Sequence, residues 1–134
     1  MLKLVLLASG LTAIGIGSAI LVVPADFHAT YGIELASDAS LASEIRAPGG
    51  ALLATGLLML AGVFVAKFAF ASTAIAAAVY LSYGLSRLVS MAIDGLPDGG
   101  LVAAAAFELA VGAINLLALQ RYRRSAEISE RQPG

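Results

Sequence analysis

Two ionisable side chains stand in otherwise apolar surroundings, Arg87 and Glu108. Either one costs a few kcal/mol inside a bilayer unless it is paired or hydrated. Their positions relate them: Arg87 lies ten residues before Pro97 and Glu108 eleven after it. In an antiparallel helix hairpin turning near Pro97, equal distances from the turn mean equal depths, about 10 Å below the surface on that side. The spacing predicts an Arg87–Glu108 ion pair between two consecutive helices. Such a pair could simply lock the register of the hairpin, or it could be the polar centre of a ligand or ion site; the third reading is that the two groups do not meet.

Helical spacing extends the pattern. Ala76, Tyr80, Tyr83, Arg87, Ser90 and Asp94 recur at steps of three or four along one stripe, and Glu108, Gly112 and Asn115 do the same on the next segment. Polar groups on facing stripes imply an inward face, read either as an inter-helix hydrogen-bond seam or as a small polar cavity. In the second reading the cavity opens to the outside and is floored by Tyr83 and Asn115, with Arg46 and Glu44 at its rim. Arg46, Tyr83, Arg87, Asp94, Glu108 and Asn115 are therefore the candidate ligand-binding residues. A guanidinium suits carboxylate or phosphate groups because its fork gives parallel hydrogen bonds.

Other chemistries have little to stand on. The chain has no Cys, which excludes disulfides, thiolate-bound metals and iron–sulfur clusters. His28 is the only histidine and reads as an exposed, structural residue, with no carboxylate cluster at metal spacing beside it. Gly49-Gly50 and Gly99-Gly100 lack the strand–turn–helix context and the Lys of a phosphate loop. No nucleophile–base pair or cofactor motif is visible, so neither an enzyme nor a cofactor is expected. The net charge of −1 gives no field for nucleic acid.

The elements that must position these groups follow from composition. Of 134 residues, 60% are hydrophobic and 13% charged, and the mean hydropathy is +0.92. Too few charges are present to cover a soluble globule of this size. The fold expected is all-α, an integral membrane antiparallel four-helix bundle with an outer loop between spans one and two. Span one is 4–23, long enough to cross roughly 30 Å of hydrocarbon and too long for the core of a cleaved signal peptide. From Ala47 to Ile93 only Lys67 and Arg87 are charged. A straight helix of that length would reach about 70 Å, so the chain folds back at Lys67. This gives spans 47–66 and 72–93, with Ser72 and Thr73 as the expected cap. A dense turn signal at 94–100 precedes span 101–119.

Domain 1–124 thus holds all four spans, and 125–134 is a polar tail expected to fray. In the outer loop, Asp38 or Ser40 is expected to cap a short helix leading into span two, near whose start Pro48 is tolerated. Ser9, Ala13 and Gly17, with Gly50 and Ala54 opposite, suggest close packing of spans one and two, or of a neighbouring protomer. Lys3, Lys67, Arg121, Arg123 and Arg124 collect on one side, which predicts cytoplasmic termini and a cytoplasmic tail. The basic cluster at 121–124 reads as a topology anchor touching anionic lipid.

Four stretches together carry a family resemblance: Glu44-Ile45-Arg46-Ala47-Pro48-Gly49-Gly50, Gly84 to Ser90 followed by Asp94-Gly95-Leu96-Pro97, Phe107-Glu108-Leu109, and Tyr31-Gly32-Ile33. The chain resembles, over about residues 1–120, the bacterial domain-of-unknown-function 4345 family, itself similar to the DoxX-like group of small membrane proteins. The resemblance implies a bacterial inner-membrane four-helix fold with Arg46, Arg87, Asp94 and Glu108 as signature polar positions. It implies no settled activity; the link of DoxX to oxidoreductase or quinone systems is analogy.

Three functional readings follow. The leading one is a structural or accessory subunit acting through helix–helix contacts, with the bilayer, further copies of itself or a larger complex as partners. Its alternative is a binder or carrier of a small amphipathic or anionic molecule in an outward-facing pocket around Arg87 and Glu108. Coupled transport is the weakest, because it needs a membrane carboxylate free to exchange protons.

Overall fold

The computed structural model describes residues 2–131, and every regular element among them is helical. Helix α1 is Leu2–Val22, α2 is Pro24–Ala29, α3 is Ala39–Phe64, α4 is Ala69–Asp94 and α5 is Gly99–Arg131, with a 3₁₀ turn at Ala66–Phe68 between α3 and α4. Four of these elements, all but α2, are long and apolar enough to cross a membrane, and the chain is accordingly a multi-pass membrane protein. Large apolar side chains such as Val22, Phe64 and Ile93 are among the most exposed in the molecule, which suits a lipid solvent.

The breaks have local causes. A residue before proline is pushed out of the α region, and Val23 (φ −128°, ψ 58°) separates α1 from α2, which starts with Pro24 in its first turn. The α2 helix is a feature the composition of the loop does not reveal. Asp38 caps α3 as expected, its Oδ1 accepting from Leu41 N–H at 2.8 Å. There is no separate short helix, because α3 runs unbroken from Ala39. Pro48 consequently lies in the helix interior, not near its start, and its missing N–H leaves the Glu44 carbonyl without the usual intrahelical donor.

The fold-back occurs at Lys67, in the 3₁₀ turn. The expected cap at Ser72 and Thr73 is not formed, since α4 begins at Ala69 straight out of that turn. Ser72 instead donates to the Leu58 carbonyl of α3 at 2.6 Å, and Thr73 to Ala69 within its own helix. Gly95, at φ 94°, ends α4 in a conformation few other residues adopt. Asp98 then accepts from Gly100 N–H at 2.8 Å to open α5. That helix continues to Arg131, so the start of the tail is helical: no Pro or Gly interrupts it before Pro133. Positions 132–134 of the tail lie outside the described residues.

The helices pack as two close pairs. In the α1–α3 pair, Gly17 lies against Gly49 and Leu53, and Gly10 against Gly56 and Leu60, so numbers rise on one helix as they fall on the other. A Cβ on Gly17 would stand 2.6 Å from the Leu53 nitrogen, and that backbone approach is what glycine permits here. The glycines opposite α1 are thus Gly49 and Gly56. Gly50 has only Leu21 nearby and Ala54 is exposed, because the contact face of α3 is rotated from the one expected. The α4–α5 pair meets likewise, Gly84 against Leu109 and Gly112 against Leu81. Leu6, Ala13, Leu52, Met59, Ala76 and Tyr80 form the buried core between the pairs.

Lys3, Lys67 and Arg121 belong to the same end of the molecule. Leu2 and Arg121 line one surface hollow, and the Phe70 ring lies 5.8 Å from Tyr122. The other end holds α2 and the loop after it, with Tyr31 against Gly100.

Candidate functional site

Tyr80, Tyr83 and Arg87 follow one another at steps of three and four, so α4 directs them to one face. From α5, Glu108 arrives at the same level. The Arg87 Nε–H donates to Glu108 Oε2 at 2.9 Å, with the side chains 32% and 14% exposed. The ion pair expected from equal distances to the turn is present.

Beside it a cavity of about 370 Å³ separates the two helix pairs, within the range of small-molecule sites. Its walls come from every helix. Ile16 and Ile20 belong to α1, Leu52 to α3, and Leu101, Ala104 and Phe107 to α5, while α4 adds Val79, Tyr80, Tyr83 and Arg87. The wall is predominantly apolar, with polar groups concentrated at Arg87, Glu108 and the tyrosines. Tyr80, almost fully buried, donates from its hydroxyl to the Ser9 carbonyl at 2.7 Å, which ties α4 to α1.

At the loop end the cavity is lined by Phe27, His28, Tyr31 and Glu44. The Phe27 ring packs edge-on to both His28 (5.5 Å) and Tyr31 (5.7 Å). His28 is half-buried, and its Nδ1 donates to the Pro24 carbonyl at 2.7 Å. A carbonyl only accepts, so Nδ1 carries a hydrogen. His28 is therefore a wall residue and not the exposed, bland one its isolation in the sequence suggests.

The expected site residues divide in two. Tyr83, Arg87 and Glu108 line the cavity together, and Glu44 joins them at the rim. Arg46 does not: its Nε–H donates to the Leu21 carbonyl at 3.0 Å, and it lines a separate hollow with Pro24 and Asp38. Two residues on a helix are about 200° apart, so a helix that turns Glu44 to the cavity turns Arg46 away. Asp94, two turns beyond Arg87, is exposed and accepts from Ser90 at 3.0 Å. Asn115 lies two turns beyond Glu108 and is fully buried beneath the cavity, not part of its floor. Its Nδ2 donates to Ser9 Oγ at 3.0 Å and to the Val111 carbonyl at 2.9 Å, while Oδ1 is unpartnered.

Sequence reasoning missed Phe27, His28 and Tyr31 as wall residues. Their 3–4 spacing was the available signal, and only the unseen α2 gives it meaning. No group of three or more His, Asp or Glu side chains able to hold a metal occurs among the described residues. What the site offers is recognition chemistry: a guanidinium, a carboxylate and phenols on an apolar wall.

Comparison with curated proteins and with solved structures gives no match. A family profile, Domain of unknown function (DUF4345), matches residues 1–119, a stretch that includes every residue lining the cavity. The chain belongs to the DUF4345 family.

Proposed function

We propose that the protein binds or carries a small amphipathic molecule in the cavity beside the Arg87–Glu108 pair. The reading rests on one observation: above their shared core the two helix pairs leave about 370 Å³ between them, lined by the polar stripes of α4 and α5. A bundle that served only as scaffold would gain by filling that space, since missing contacts cost stability. The architecture proposed with it is an antiparallel four-helix bundle in the bacterial inner membrane. Both termini lie in the cytoplasm, as the shared end of Lys3, Lys67 and Arg121 supports. The loop bearing α2 is then on the outer side and the cavity faces outward.

The accessory-subunit reading keeps one specific support, the ion pair and the Asn115–Ser9 bond that tie neighbouring helices. It predicts no bound molecule. Native mass spectrometry from lipid nanodiscs separates the two. The wild type is expected to carry a retained small-molecule mass, and Ala104→Phe, which fills the cavity while leaving both members of the ion pair in place, is expected to lose it while staying folded. A wild type without adducts, or adducts indifferent to Ala104→Phe, would favour the accessory role.

A further inference from the structure

We infer that the head group recognised in the cavity is uncharged and presents one hydrogen-bond acceptor and one donor side by side, as a primary amide does. The inference rests on the cavity being a ligand site and adds the chemical class of its occupant. It starts from what the ion pair leaves unused. Arg87 and Glu108 meet through Nε and Oε2 alone. Among the described residues neither Nη nitrogen of Arg87, nor Oε1 of Glu108, nor the Tyr83 hydroxyl has a hydrogen-bond partner. A guanidinium carries its donors in a planar fork and a carboxylate accepts on both oxygens. The pair therefore sets unspent donors next to an unspent acceptor.

Charge decides between heads. Arg87 and Glu108 cancel, and the remaining ionisable wall residues are Glu44 and His28 at the loop end and three tyrosines. An anion would pass the Glu44 carboxylate and then compete with Glu108 for one guanidinium. A cation would face that guanidinium directly. Either would leave a charge poorly compensated away from water, which is costly. A neutral head that accepts a hydrogen bond from Nη–H and donates one to Oε1 meets neither penalty and satisfies both groups. Ile16, Ile20, Val79, Leu101 and Phe107 accept the apolar body.

Three probes that share a ten-carbon tail test this: decanamide, decanoate and decylammonium, titrated calorimetrically at neutral pH into nanodiscs with empty discs subtracted. Decanamide is expected to bind about tenfold tighter than either charged probe. Glu108→Gln removes the cancelling charge and is expected to shift the preference to decanoate by about tenfold. A charged probe binding tightest to the wild type overturns the head-group assignment and leaves the ligand site standing. If no probe binds above empty discs, the ligand site fails with it. The wild-type series needs no variant, so it decides even where Glu108→Gln does not fold.

Discussion

Removing the guanidinium of Arg87 leaves the Glu108 carboxylate, 14% exposed, among apolar neighbours without a compensating charge. Breaking a buried pair costs about 3–5 kcal/mol, and the partial exposure of Arg87 lowers the expectation for Arg87→Ala to about 2–4 kcal/mol. The loss should appear as a lower thermal midpoint in detergent. The exchange Arg87→Glu with Glu108→Arg should recover most of it, because the attraction is symmetric while the hairpin is unchanged. This pair was legible in the sequence because both residues sit nearly the same number of steps from one turn. Arg46 was misplaced for the opposite reason. Its position along α3 was right, but which way it faces depends on the helix phase, and that is set by Gly49 and Gly56 seating against α1.

At the level of the helix, the glycine contacts fix how near the backbones come. Gly17→Val adds three carbons where one Cβ already falls 2.6 Å from a backbone nitrogen. Pushing α1 away from α3 should cost at least about 1–3 kcal/mol, the usual range for overpacking, whereas Gly15→Ala, with open space around it, should be nearly neutral. Paired thermal melts of the two variants check this. The existence of each long helix and the fold-back at Lys67 could be read from charge spacing alone. The Ser72 cap could not. A hydroxyl near a helix start suits a cap equally well whether or not a neighbouring carbonyl is available, and here Leu58 takes it. The short α2 was hidden because six residues carry too little periodicity to register.

On the scale of the whole molecule, the absence of cysteine makes each introduced thiol a unique reporter of sidedness. With cells intact, a membrane-impermeant maleimide should label Ser37→Cys in the loop after α2 and spare Lys67→Cys in the 3₁₀ turn, with both labelled after lysis. The reverse pattern would invert the proposed orientation. Four helices long and apolar enough to cross a membrane were plain from composition, but the polar stripes left a seam and a cavity as open alternatives, because the choice depends on how far apart two tight helix pairs are held. Another property belongs to α5. A helix of 33 residues measures roughly 50 Å, against about 30 Å of hydrocarbon. It cannot be housed within the lipid by modest tilting, so several of its turns stand clear of the bilayer as a stiff stalk. The direction in which that stalk leaves the membrane is then set by how α5 seats on α4, through Gly84 against Leu109 and Gly112 against Leu81.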